Sequence, residues 1–208
     1  MPKIRAENLA DHHDLVWTGL IDGLEGLLAA RPYEELTLAE IATAAGMARN
    51  TIYNYAPDKP TLLAIAAEFA SEDLLRQVAS LASDAGPASS RLAAMIGAML
   101  TWFASDVHRH LLLHSLFRLP APLQARAGAP LTRIIQHVEQ VVVDGVGTGE
   151  FRTLFNTELT VQLMSGVMHP AINRVVHLPE TRADVELEVI SFMLGALSPR
   201  RPPRAPKG

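Results

Sequence analysis

The 208-residue chain contains no cysteine. That removes disulfide frameworks and thiolate metal sites, and it suits a reducing interior. Aromatic residues make up only 5% of the chain, while alanine and leucine dominate, so helix is favoured over sheet. No apolar run reaches the roughly 18 residues of a membrane span. The longest, near Leu111–Leu113 and Val141–Val143, suit the interior of a helix bundle. The N-terminal stretch MPKIRAENLADHHD has no apolar signal core. GxSxG, a phosphate-binding loop, GxGxxG and a placeable carboxylate pair are all missing, so neither an enzyme nor a cofactor is expected. A broad basic surface is missing too. The net charge is −4, and residues 1–65 set five cations (Lys3, Arg5, Arg31, Arg49, Lys59) against nine acids. Any contact with nucleic acid must therefore be local. These absences leave a soluble, cytoplasmic, all-helical protein with no membrane partner as the expectation.

What is present is helical periodicity. Leu15, Leu20, Leu24, Leu27 and Leu28 recur at three- and four-residue spacing, which predicts a helix ending near Ala30. Gly19 and Gly23 lie four apart on it, and close helix packing is the expected reason. Arg31-Pro32 stops that helix. Thr37-Leu38-Ala39-Glu40 then reads as a capping box opening a short helix to Ala45. Gly46 breaks it, and a second short helix is predicted from about Arg49 to Tyr55, ended by Pro57. Asp58 is placed to cap a long helix reaching about Leu81, with Pro60 in its first turn. Further helices are predicted at about 88–106, 109–118, 121–127, 130–146, 157–177 and 181–197. The last two are apolar on more than one face. A helix apolar all round has to be buried all round, and a second copy of the chain is the expected partner. Leu159, Leu163, Val167, Val185, Val189, Phe192 and Met193 are the candidate dimer residues.

The stretch Gly46–Lys59, GMARNTIYNYAPDK, gathers polar side chains in an otherwise apolar sequence. A helix-turn-helix needs a glycine at its turn, a small residue where the helices touch and inward apolar anchors. Gly46, Ala42 with Ala45, and Ile41, Met47, Ile52 and Tyr55 meet those needs. The longer stretch YEELTLAEIATAAGMARNTIYNYAPDKPTLL, Tyr33–Leu63, resembles the signature of the TetR family of transcriptional regulators. The parts that carry the likeness are LTLAEIATAAGM, TIYNY and the DK opening the next helix. GEFR at 149–152 adds to it. The sequence departs from the family pattern at Ala48 (commonly serine), Asn50 (glycine), Ala56 (phenylalanine), Pro60 (glutamate) and Gly23 (alanine).

The resemblance implies a helix-turn-helix DNA-binding domain at 1–57 and a helical ligand-binding and dimerisation domain at 58–197; the proline- and arginine-rich composition of 198–208 predicts a disordered basic tail. The resemblance also implies a homodimer on a palindromic double-stranded DNA operator, released by a small-molecule effector. A repressor is expected. Arg49 and Asn50 are candidates for base edges, because guanidinium suits guanine and carboxamide suits adenine. Asn54 and Thr51 lie beside them, Asn54 divided between base and phosphate. Thr37 can offer its hydroxyl to a phosphate, and the resemblance places Tyr53, Tyr55 and Lys59 near the DNA backbone. Tyr55 has a second role open to it as an inward anchor. Lys3 and Arg5 are expected to face DNA as well.

In the remainder, Met95, Met99, Trp102, Phe103, Phe117 and Met168 offer bulky walls for a mainly apolar ligand. His110, His114, His137 and His169 offer polar handles. His110 and His114 share one helical face, the spacing a metal pair would use, but no HExxH is present and no metal is assigned. The alternative to a DNA-binding regulator is a helical metal- or ligand-binding protein whose acidic N-terminal part has lost DNA binding.

Overall fold

The structure, a computed structural model, describes the backbone of residues 6–199 and the side chains from Leu15 onward, residues 107 and 108 excepted. The expectations for Lys3, Arg5 and the basic tail beyond Pro199 lie outside the described residues. Among the described residues there are nine α-helices and no strand. They are α1 Ala6–Ala30, α2 Leu38–Ala44, α3 Lys59–Ala82, α4 Ala88–Ser105, α5 Val107–Ser115, α6 Ala121–Ala127, α7 Ala129–Gly147, α8 Thr157–His177 and α9 Arg182–Leu197. The all-helical class expected from composition and periodicity is what the chain adopts. Short 3₁₀ turns lie at Tyr33–Glu35, Thr51–Asn54, Leu116–Arg118 and Pro179–Thr181.

The chain forms two compact units. One takes the residues through Asp73 together with Asp106–Leu131. The other takes Leu74–Ser105 and the residues from Thr132 onward. The first unit thus runs past residue 57, because α5 packs on α1 and α6 follows it. Its core holds Leu20, Leu24, Ile41, Ile52, Leu62, Leu63 and Leu112, all fully buried. Trp17 stacks on Phe69 with ring centroids 6.2 Å apart. Two ion pairs bind the 116–127 stretch to the rest of the unit, Arg118 with Glu34 and Arg126 with Glu68 at 3.1 Å. Both are exposed, so water and salt screen them and they add little to stability.

In the second unit α4 packs against α8 and α9, and α8 against α9. The tetrapeptide GEFR ties three helix ends together there. The Glu150 carboxylate accepts from the amides of Ala88 (2.7 Å) and Ser89 (2.9 Å) and from the Ser89 hydroxyl, so it caps the start of α4. Phe151 fills the space that a side chain at Gly145 of α7 would need. Arg152 closes the end of α9, its backbone amide donating to the Leu197 carbonyl and its Nε to that of Ala196, both at 2.8 Å. The Ser89 hydroxyl, with the two amides, holds the Glu150 carboxyl below its ordinary value of 4.5. That cap therefore contributes in full above the ordinary value and is lost as pH falls through the lower one. Glu150→Ala is expected to cost about 1–2 kcal/mol, the scale of a lost N-cap. Thermal melts at neutral pH check this, and an unchanged Tm would contradict it.

Candidate nucleic-acid interface

The sequence of the segment 37–59 dictates its shape step by step. Thr37 has extended backbone and opens α2 through a complete capping box. Its amide donates to Glu40 Oε2 at 2.9 Å and its hydroxyl to the same oxygen at 2.7 Å, while the Glu40 amide donates back to Thr37 Oγ1. Glu40 also takes the guanidinium of Arg31 at 2.8 Å. The Thr37 hydroxyl and then Arg31 hold its carboxyl down to about 2. Gly46 turns the chain with φ +70°, the left-handed region that favours glycine, and lets the Met47 amide reach back to the Ala42 carbonyl at 2.9 Å.

The segment expected as a helix from Arg49 to Tyr55 is shorter and tighter. Only Thr51–Asn54 is regular, as a 3₁₀ turn, and Asn50 makes no side-chain cap. The cause is visible in the sequence. Ala48 supplies no capping oxygen, and Pro57 stops the chain seven residues after Asn50, so too few bonds form to sustain an α-helix. Ile52 is fully buried and anchors the turn. Tyr55 is half-buried, its ring edge-on to Trp17 at 5.8 Å, so it acts as the inward anchor. The outward row is Arg49, Asn50, Tyr53 and Asn54, all exposed, with Thr51 half-buried beside them. Tyr53 shows 53% of its surface.

Lys59 departs from expectation. Its ammonium donates to the carbonyls of Tyr33 (2.8 Å), Leu36 (2.8 Å) and Glu34 (3.2 Å) and sits 4.3 Å from the centre of the Tyr33 ring. All three donors are spent inside the protein, which leaves none for a phosphate. Lys59 caps the turn at 33–36 instead. Burial lowers its pKa, and burial with the Asp58 and Glu34 charges pushes the Tyr33 phenol up to about 12. The start of α3 keeps one expected feature, since Asp58 accepts from the Thr61 amide at 2.8 Å.

This is a helix-turn-helix with a polar outward row, and residues 20–66 match the family described as bacterial regulatory proteins, tetR family. Over that segment the chain is similar to TetR-family transcriptional regulators. Solved structures are similar over most of it. FadR from Bacillus halodurans superposes with a TM-score of 0.77 at 20% identity, covering 87% of this chain and 99% of that one. FadR from Bacillus subtilis, in complex with stearoyl-CoA, gives 0.75 at 18%, covering 87% and 99%. The MbdR regulator from Azoarcus sp. CIB gives 0.72 at 21%, covering 88% and 98%. At such identities the likeness establishes the fold. No curated protein matches the sequence.

The effector candidates are divided between the two units. Met95, Met99, Trp102, Phe103, His137, Met168 and His169 belong to the second; His110, His114 and Phe117 belong to the first. Met95 is fully buried, Met168 nearly so, and Trp102 meets Phe103 edge-on at 4.9 Å. Met99 and His137 are half-buried and His169 is exposed. In the first unit His110 lies 6.3 Å from His114, itself exposed and 6.0 Å from the exposed Phe117. Among the described residues no three histidine or carboxylate groups come together as a metal site would require.

The candidate dimer residues also separate. Leu159, Leu163 and Phe192 are exposed, at 51%, 65% and 60%. Val167 and Val185 are half-buried. Val189 is buried but lines a groove between α8 and α9. Met193, at 2% exposure, belongs to the core of its own unit and not to an outer face. Within one chain these helices are not buried all round, because Leu159, Leu163, Leu187 and Phe192 are open to solvent.

Proposed function

We propose that the chain is a ligand-responsive repressor that binds a palindromic operator as a homodimer and is released by a mainly apolar small molecule. The observation that carries this is the outward row of the turn. Arg49, Asn50, Tyr53 and Asn54 stand exposed on a segment fixed from behind by Ile52 and by Tyr55 against Trp17. Arg49 and Asn50 read base edges in the major groove, while Tyr53 and the amides near Thr37 hold phosphates. Two such segments related by a twofold axis reach half-sites about one helical turn apart. Salt weakens the complex with a shallow slope, since few cations take part.

Support for an apolar effector comes from the second unit, where Met95, Trp102, Phe103 and Met168 are large, buried apolar side chains. The Bacillus subtilis FadR, similar in fold, is in complex with stearoyl-CoA. A long acyl chain is the effector class proposed. The effector must bind the non-operator conformation better than the operator-bound one, since a ligand shifts an equilibrium only by its difference in affinity.

The test is capture of genomic fragments at moderate salt by the full chain and by the Arg49→Ala/Tyr53→Ala variant. Enrichment of a short palindrome by the first alone, and its release by stearoyl-CoA or a shorter acyl-CoA, is the expected result. Equal enrichment by both proteins would sink the proposal for these residues. No enrichment by the unaltered chain would sink the operator.

A further inference from the structure

A small cavity of about 140 Å³ lies within the first unit, between the end of α1, the 33–35 turn, and α5 with the turn that follows it. Leu28 and Leu111 give it apolar walls; Arg31, Tyr33 and Arg118 give it donors, and Glu34 lines it too. Tyr33 is only 8% exposed, and its phenol oxygen has no hydrogen-bond partner among the described residues. A buried donor without a partner is costly, so it marks a place where an acceptor would be favoured. The phenol keeps its proton, because burial and then the Asp58 and Glu34 charges push its pKa up to about 12. The two arginines have donors to spare. Arg31 donates to Glu40 at 2.8 Å and Arg118 to Glu34. Both pairs are partly exposed, so water screens them. A guanidinium has five N–H donors in all, and most of these remain for a further acceptor. His114, set apart from the apolar residues of the second unit, lines this same cavity.

We propose that this cavity is a second small-molecule site, for a compact carboxylic acid whose carboxylate is held by Arg31, Arg118 and the Tyr33 phenol and whose apolar body lies against Leu28 and Leu111. It is separate from the effector reading of the second unit and does not rest on it. Size argues for the class. A cavity of about 150 Å³ holds one benzene ring, so a single ring or a short branched chain fits and a long acyl chain does not. Charge argues for the carboxylate. An ionised carboxylate only accepts, and its two oxygens match the fork of a guanidinium. Inorganic phosphate would meet the donors but leave Leu28 and Leu111 facing water. A neutral ring would cover the leucines but leave the phenol without an acceptor. Arg31 connects the site to the helix-turn-helix. It also holds Glu40, the acid that completes the Thr37 capping box, so a ligand drawing on Arg31 acts on the start of α2.

The test is calorimetric titration of the full chain, Arg118→Ala and Tyr33→Phe with benzoate and isovalerate, and with benzamide and inorganic phosphate as controls. Saturable binding of at least one of the two acids is expected, with benzamide and phosphate roughly tenfold weaker or worse. Arg118→Ala is expected to raise the Kd of that acid roughly tenfold, and Tyr33→Phe roughly fivefold. Tyr33→Phe removes only a buried oxygen without a partner, so its Tm without ligand should not fall and misfolding cannot explain its weaker binding. On saturation, amide NMR shifts are expected at 28–34 and 111–118. If neither acid binds saturably at millimolar concentration, the site falls. Equal affinity in all three proteins, or shifts confined to the second unit, would place the acid elsewhere and overturn the proposal. Benzamide as tight as benzoate would overturn the role of the carboxylate, and phosphate as tight as either acid would overturn that of the apolar body.

Discussion

Between pH 5 and pH 7.5 the melting temperature of the protein is expected to fall, and Glu25→Gln is expected to remove most of that fall. Glu25 sits on α1, only 3% exposed, and its Oε1 has no hydrogen-bond partner. Burial pushes its carboxyl up to about 7; the neighbouring Asp106 and, less so, Asp22 add to the rise, and Arg109 opposes it. The ordinary value is 4.5. Over the interval between these two values the folded chain keeps a proton that the unfolded chain has lost. Stability therefore declines as pH rises through that interval and levels off above it. The part of this rise that titrates between pH 5 and pH 7.5 corresponds to roughly 2–3 kcal/mol, or about 5–10 °C for a chain of this length. The acids on the other side of the ledger, Glu40, Asp58, Asp144 and Glu150, are all held low, so their contributions disappear only as pH falls below the ordinary carboxyl range. Maximal stability should lie near pH 5. The difference between the Tm profiles of the unaltered chain and of Glu25→Gln isolates this group from the histidines. Parallel profiles would refute the assignment.

The second large effect is a pair of identical substitutions with opposite outcomes. A Cβ at Gly23 would lie 2.9 Å from the Ala45 amide nitrogen and 3.0 Å from the Ala44 carbonyl carbon, both backbone atoms of the turn into Gly46. Neither can move without shifting α2 off α1. At Gly26, one turn further on, a Cβ meets nothing within 4 Å. Replacing either glycine by alanine gains up to about 1 kcal/mol in helix propensity. At position 23 overpacking, at about 1–3 kcal/mol, outweighs the gain. Gly23→Ala is thus expected to lower Tm by a few degrees and to weaken operator binding, since the outward row hangs from that turn. Gly26→Ala raises Tm with no change in binding. Denaturant melts of both variants decide it, and a stabilised Gly23→Ala would show that α2 is free to shift.

Much of this could be seen in the sequence. Helix spans follow from spacing and breakers. The capping box at Thr37–Glu40 and the turn at Gly46 form as expected because their geometry is local: the partners lie three or four residues apart. Close packing at Gly23 was legible from its spacing, and the missing cap at Ala48 foreshadowed the short 3₁₀ turn. What escaped was non-local. Nothing near Lys59 announces that its ammonium is consumed by carbonyls more than twenty positions earlier. Glu25 did leave a mark, since an acid in helical register with Ile21 and Leu28 is out of place on an apolar face. Tyr33 and Arg118 are seen to line one cavity only once α5 is packed on α1. Glu150 reaches 62 positions back to Ala88, a contact no periodicity can forecast.

The bonding of Lys59 also has a chemical consequence. The chain holds three lysines, at positions 3, 59 and 207. An acylating reagent or an acetyltransferase needs an amine with a free lone pair, and the amine at 59 is half-buried and pinned by three carbonyls. Its rate of modification is then set by how often the 33–36 turn opens. One nucleophile within the sequence thus serves as a clock for opening of the DNA-binding unit.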